Sequence, residues 1–195
     1  MRVLALNGSP EKDGNISFLI DEVLEICKER GAEVEKVDIL EVMNKGKWFP
    51  CINCSNPCNS ACFKGTVIEE TFEKMREADF IILGSPVYFG TVSGILKCFW
   101  DKTRVLRSEK ALLGKKCAVI TSGFAPFGGQ EKTISALHDM ALVQGMEIVA
   151  DGAAGFDAGH HGVASSGDAR QDKFAIERCK VLAERIMQRT TNNEQ

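Results

Sequence analysis

Four cysteines, Cys51, Cys54, Cys58 and Cys62, fall within twelve residues in the pattern C-x2-C-x3-C-x3-C. In a reducing compartment, thiols this dense are metal ligands or redox groups rather than disulfides. Four thiolates on one loop are the ligand set that a [4Fe–4S] cube requires. Tetrahedral zinc is a second reading, although four-cysteine zinc sites usually come as two separated C-x2-C pairs. A redox dithiol at Cys51 and Cys54, or four thiols that hold nothing, complete the set. The ligand types alone leave these alternatives open. Cys27, Cys98, Cys117 and Cys179 are scattered through apolar surroundings and read as small buried hydrophobes. Trp48 and Phe49, just ahead of the cluster, would shield it from water or pack on the core.

A second kind of chemistry lies in three small-residue loops. The first runs Gly8-Ser9-Pro10-Glu11-Lys12-Asp13-Gly14-Asn15-Ile16-Ser17 and leads into a helical pattern. Hydroxyls and free backbone N–H groups at a helix N-terminus make a phosphate cradle. The Lys-Ser/Thr of a P-loop is missing, and so is a G-x-G-x-x-G fingerprint. Such a cradle suits a single terminal phosphate, as on FMN; a plain N-cap turn is the alternative. The second loop, Ser85 to Ser93, sets Pro86, Val87, Tyr88, Phe89 and Gly90 together, backbone donors beside flat apolar faces. That combination suits a flavin ring, whereas isolated aromatics more often belong to a core. The third loop, Thr121-Ser122-Gly123 through Gly128-Gly129, has the same character. His160 and His161, in a Gly-rich stretch with no third ligand nearby in sequence, read as surface or interface histidines.

These loops must be positioned by regular elements, and the hydrophobic periodicity supplies them. Residues 2–7 form a first strand. Ile16, Leu19, Ile20, Val23, Leu24 and Cys27 recur at helical spacing, up to Gly31. Residues 33–39 form a second strand, and an irregular, cysteine-rich insertion spans 41–66. Residues 67–77 are helical. The run 79–85 is apolar throughout, as in the middle of a parallel sheet. A helix over 92–106, a strand over 117–121, a helix over 130–144, a fifth strand over 146–150 and a helix over 171–189 follow. Residues 152–167 read as a Gly-rich loop or partner-facing excursion, and the tail from Thr190 as polar and frayed. The alternation predicts one α/β domain over 1–195, with helices on both faces of a parallel sheet. Ligands of such sheets bind beyond the carboxyl ends of the strands.

Composition narrows the class. The 195 residues carry 24 basic and 27 acidic side chains, a net charge of −3, with 44% hydrophobic residues. That excludes disorder and disfavours a nucleic-acid surface. No apolar run reaches the roughly 18 residues of a membrane span, and Met1–Asn7 is too quickly polar for a signal peptide. A cytoplasmic location is expected.

Gly8-Ser9-Pro10 with Gly14-Asn15-Ile16-Ser17 resembles the phosphate loop of the NAD(P)H-dependent FMN reductase family of flavodoxin-like proteins. Ser85-Pro86-Val87-Tyr88-Phe89-Gly90 resembles its isoalloxazine-contacting loop, and Thr121 to Gly129 its third flavin loop. The likeness runs from Met1 to about Val149. Ile16 departs from it, standing where the family often has Thr. The cysteine run after the second strand resembles the iron–sulfur flavoprotein branch, whose usual spacing has two residues, not three, between the second and third cysteines. The resemblance implies a flavodoxin-like sheet of order 2-1-3-4-5, bound FMN and a [4Fe–4S] cluster on Cys51, Cys54, Cys58 and Cys62. It also implies phosphate contacts from Ser9, Asn15, Ile16 and Ser17, and ring contacts from Pro86 to Gly90, Thr121 to Gly123, Gly128 and Gly129. Electron exchange with NAD(P)H or a ferredoxin-like carrier, or with O2 or peroxide, and a homodimer or homotetramer follow from the same resemblance. No side chain is required as a general acid or base.

Overall fold

A computed structural model describes residues 1–46 and 49–188. Trp48 and the tail, for which the sequence raised expectations, lie outside the described residues. In chain order the elements are β1 (Arg2–Asn7), α1 (Asn15–Glu29), β2 (Glu33–Asp38), α2 (Ile39–Lys45), α3 (Val67–Glu77) and β3 (Phe80–Pro86). They continue as α4 (Gly94–Asp101), α5 (Arg104–Glu109), β4 (Lys116–Gly123), α6 (Gln130–Leu142), β5 (Glu147–Ile148), β6 (Val163–Ser166) and α7 (Lys173–Gln188).

The sheet runs β2-β1-β3-β4-β5, every pairing parallel. This is the order and the doubly wound architecture that the sequence predicts. Phe80, Ile81, Ile82 and Leu83 of β3 are all buried because helices cover both faces. One apolar layer joins the sheet to α2, α3, α4, α5 and α6; the other joins it to α1 and α7. At the carboxyl edge Asn7 stands opposite Gly84, and Gly84 opposite Ile120. β1 ends at this level, while β3 runs two residues further and β4 three, and their loops open at the same edge of the sheet. Gly84 also sets the height of α1, since a Cβ there would lie 2.6 Å from Ile16 Cγ2 and 2.8 Å from Ile20 Cδ1.

Three boundaries differ from the sequence reading. The helix expected over 92–106 is two, α4 and α5, with Lys102 and Thr103 between them. The irregular insertion begins only after α2. The fifth strand is split: β5 pairs the start of β4 through Glu147 and Ile148, and β6 pairs its end, with Val163 opposite Ile120 and Ser166 opposite Gly123. The stretch 152–167, read as a loop, thus returns to the sheet as β6. Only four residues pair there, in a Gly- and Ser-rich setting whose periodicity is too short to signal a strand.

A buried ion pair closes the excursion between the two halves. Asp151 is fully buried, and Arg178 of α7 donates to its carboxylate (Nε–Oδ2 2.6 Å) and to its carbonyl (2.7 Å). The same guanidinium reaches both carboxylate oxygens of Asp157, at 2.8 and 3.0 Å. Hydrogen bonds from Arg178 hold the Asp157 carboxyl below its ordinary range. This arm therefore contributes at neutral pH, and its contribution fades as acid protonates Asp157. Arg178→Ala leaves the Asp151 carboxylate buried without its cation, a loss of about 3–5 kcal/mol, measured as a shift of the urea midpoint. Asp157→Asn, which removes only the exposed arm, is expected to shift the midpoint far less.

Candidate functional site

The three loops enclose a cleft of about 220 Å³. Ser9, Asn15 and Ile16 line it from the first loop, Pro86, Val87 and Tyr88 from the second, and Ser122 and Gly123 from the third. Eight of the residues singled out in the sequence therefore converge. Glu11, Phe124 and Gly167 join them. Gly167 was missed because it follows the unforeseen β6.

The floor at the first loop is the start of α1. Gly14 occupies the N-cap with no side-chain cap, so the first N–H groups of the helix have no capping oxygen. The side chains nearby already have partners within the chain. Asn15 Nδ2 donates to Gly167 O at 2.7 Å, and Asn15 Oδ1 accepts from Ala169 N at 3.1 Å. Ser9 Oγ accepts from Glu11 N at 3.1 Å, and Asn7 Oδ1 accepts from Ser9 N. Ser17 is buried away from the cleft, its Oγ accepting from Lys36 Nζ at 2.7 Å. The cradle thus presents the backbone N–H groups at the start of α1 together with the Ser9 hydroxyl, which accepts from Glu11 N and keeps its own proton to donate.

Hydroxyls from the other loops lock the walls together. Thr121 is fully buried, its Oγ1 donating to Ser85 O at 2.8 Å. Ser85 Oγ accepts from Ser93 N, and Ser93 Oγ donates to Gly8 O at 2.5 Å. Val87 N donates to Ser122 O at 2.8 Å. Phe89 and Gly90 both have positive φ, 49° and 79°, and Tyr88 and Thr91 exchange two backbone hydrogen bonds around them. This is the geometry of a tight primed turn, and it throws the Phe89 ring fully into solvent. Gly128 and Gly129 bend the third loop, with Gln130 holding Gly128 N and Ala125 O. Phe124 and Phe127 there are almost fully exposed. The cleft is therefore rimmed by unpacked aromatic faces.

The cysteine run occupies irregular backbone between α2 and α3. All four thiols are free; Cys54 is exposed, while Cys58 and Cys62 pack against the core. Phe63 anchors the end of the loop, 5.0 Å from Phe72 centroid to centroid. Among the described residues, no group of three or more His, Cys, Asp or Glu side chains converges closely enough to hold a metal ion. The donor types fit an iron–sulfur cluster, and no helix or strand between residues 49 and 66 fixes their directions. Cys27, Cys117 and Cys179 are buried in the core as expected, whereas Cys98 is half-buried and packs against it. Burial pushes the Cys27 thiol up to about 12 and raises Cys117 and Cys179 as well. His160 and His161 are tied into the split strand. His160 N donates to Asp151 Oδ1 at 2.5 Å, and His161 stacks on His138. Burial lowers the pKa of His138.

The sequence model of NADPH-dependent FMN reductases matches residues 1–161. An iron–sulfur flavoprotein of Methanocaldococcus jannaschii is 35% identical, over 95% of both chains. One from Methanosarcina thermophila is 33% identical, over 95% of this chain and 93% of its own. The chain belongs to the NADPH-dependent FMN reductase family, in its iron–sulfur flavoprotein branch. It is an FMN-dependent oxidoreductase. The fold agrees. A WrbA-like flavodoxin from Agrobacterium tumefaciens superposes with a TM-score of 0.69 over 99% of both chains, at 15% identity. An archaeal flavodoxin gives 0.64 over 98% of this chain and 99% of its own, also at 15%.

Asn15 ties the start of α1 to the chain that follows β6. Asn15→Ala leaves Gly167 O and Ala169 N without their partners, so the protein should lose about 1–3 kcal/mol of stability in urea. Hydrogen exchange should quicken around residues 167–169.

Proposed function

We propose that the loop cleft binds FMN and that Cys51, Cys54, Cys58 and Cys62 hold a [4Fe–4S] cluster. The protein would then pass electrons between a two-electron partner, such as NAD(P)H, and a one-electron carrier of the ferredoxin type or O2 or peroxide. The observation that carries the flavin assignment is the uncapped start of α1 at the floor of a cleft walled by Pro86, Val87 and Tyr88. Its N–H groups and positive dipole end suit a terminal phosphate. The aromatic rim and the backbone of the second and third loops suit the edge and faces of a planar ring. Bound FMN supplies one- and two-electron chemistry, and an iron–sulfur cluster supplies one-electron chemistry. The chain itself orients these groups, and this reading gives no side chain the role of a general acid or base. A cytoplasmic homodimer or homotetramer suits this reading. Among the described residues, no helix is long and apolar enough to cross a membrane.

The dispersed sulfurs favour a second reading, an NAD(P)H-dependent FMN or quinone reductase whose cysteine loop is structural or binds zinc. Rapid NAD(P)H oxidation with free flavin or quinone by iron-free protein supports it.

Iron, acid-labile sulfide, zinc and flavin assays on anaerobically purified protein decide between the two. About four irons and four sulfides per chain are expected for the cluster. Cys54→Ala should abolish the iron and leave FMN bound; full iron in that variant sinks the ligand assignment.

Glu11 supplies a separate test of the flavin site. Its Oε2 lies 2.9 Å from the position a Cβ would take on Gly14, at the mouth of the cradle. A phosphate bound there feels a like charge. Glu11→Gln should tighten FMN by about 1 kcal/mol, roughly fivefold, at low salt. Riboflavin, which has no phosphate, should bind both forms equally.

A further inference from the structure

Two side chains from the junction of α4 and α5 reach the cysteine loop, and both are cationic. Lys102 is 2% exposed, a rare fate for a lysine without a carboxylate beside it. Its Nζ lies 3.9 Å from Cys62 Sγ and 5.1 Å from the centre of the Phe49 ring. Among the described residues no carboxylate pairs with it. Half-buried Arg104 donates through Nη1 to Asn53 Oδ1, between Cys51 and Cys54. The loop they approach, residues 49–66, contains no Asp or Glu in a chain that has 27.

An uncompensated ammonium is costly to bury. A sulfur contact and one aromatic face replace little of its hydration. The surrounding electrostatics make sense if an anion completes the pocket. Four thiolates around a [4Fe–4S] core are such an anion, and one electron makes it more negative. Potentials of these clusters respond to nearby charge and to hydrogen bonds at sulfur, and Lys102 offers both.

We propose that Lys102 is the counter-charge of the cysteine-held cluster, donating to Cys62 Sγ and raising the cluster's reduction potential, with Arg104 adding a smaller effect from the Asn53 side. This rests on the iron–sulfur reading of the four cysteines. It adds a residue distant from them in sequence that sets how readily electrons enter.

The test is a spectroscopic redox titration of the whole, anaerobically reconstituted protein, with iron and sulfide assayed in each sample. Lys102→Met keeps the length of the stem and removes the charge. With iron content equal to wild type, it should lower the reduced-to-oxidised ratio at fixed potential about tenfold, which for a one-electron couple is about 59 mV. Lys102→Arg should stay near wild type, and Arg104→Gln should shift in the same direction as Lys102→Met by less. Equal iron with an unchanged potential in Lys102→Met overturns the proposal, and so does an equal shift in Lys102→Arg, which would mean packing rather than charge. If Lys102→Met folds without iron, retention by Lys102→Arg supports the counter-charge, and loss in both overturns it. If Lys102→Met does not fold, Arg104→Gln decides: a negative shift supports the assignment and no shift overturns it. Wild-type protein that takes up no iron or sulfide fails at the earlier step, the cluster itself, and takes the proposal with it.

Discussion

The common register of β1, β3 and β4 near their carboxyl ends is the constraint on which the rest of the site depends. Asn7, Gly84 and Ile120 stand at one level. Gly8 N donates to Gly84 O at 2.8 Å, so the first loop leaves the sheet already fixed to its neighbour. Ser93 Oγ then grips Gly8 O, and Ser85 and Thr121 tie the second and third loops to the same frame. None of these hydroxyls needs to touch a ligand to be indispensable. They hold three backbone segments in a fixed relation, so the walls of the cleft are in place in the free protein. Gly84 completes the constraint from below, since any side chain there would lift the start of α1 away from the cleft floor.

Two buried cations in this protein illustrate opposite logics. Arg178 is nearly inaccessible but saturated: Asp151 and Asp157 surround its guanidinium with four oxygens from two residues. Its work is architectural, holding the chain where the fifth strand breaks and resumes. Lys102 is as deeply buried, and its partners are a sulfur and a ring. A fold that compensates one buried charge so fully and leaves the other open sets the second apart as functional. The absence of acids from residues 49–66 keeps the positive field around the cysteines from being cancelled locally.

Much of this was legible in the sequence because the periodicities are long and uninterrupted. The apolar run of β3 and the helical face of α1 leave little ambiguity, and the alternation of strands and helices follows from them. The three loops were recognisable because Gly, Ser and Pro gather where strands end. Two features were not legible. The four residues of β6 lie among Gly and Ser and pair only because β4 extends past the end of β5. Nothing around Lys102 in the sequence marks it as buried, since its burial follows from where α4 ends relative to a loop forty residues earlier. Contacts between distant segments leave no periodic trace.

The residue types were legible in the sequence, and their partners within the chain were not. Asn15, Ser9, Ser17 and Thr121 are the polar residues one would choose to bind a phosphate or a ring, and each is engaged with the chain itself. The reason lies in the cost of burial. A hydroxyl or amide near the sheet edge must be satisfied in the free protein as well as in the complex, and a partner within the chain is always present. Backbone N–H groups at a helix start are different, because water can satisfy them when the site is open and an anion can replace it. A flavodoxin-like site of this kind therefore separates two tasks. Most of the polar side chains lock the walls, and the backbone N–H groups at the start of α1 are left open. The cysteine loop is built differently: its backbone is irregular, and it presents four free thiols, with the Lys102 ammonium 3.9 Å from one of them.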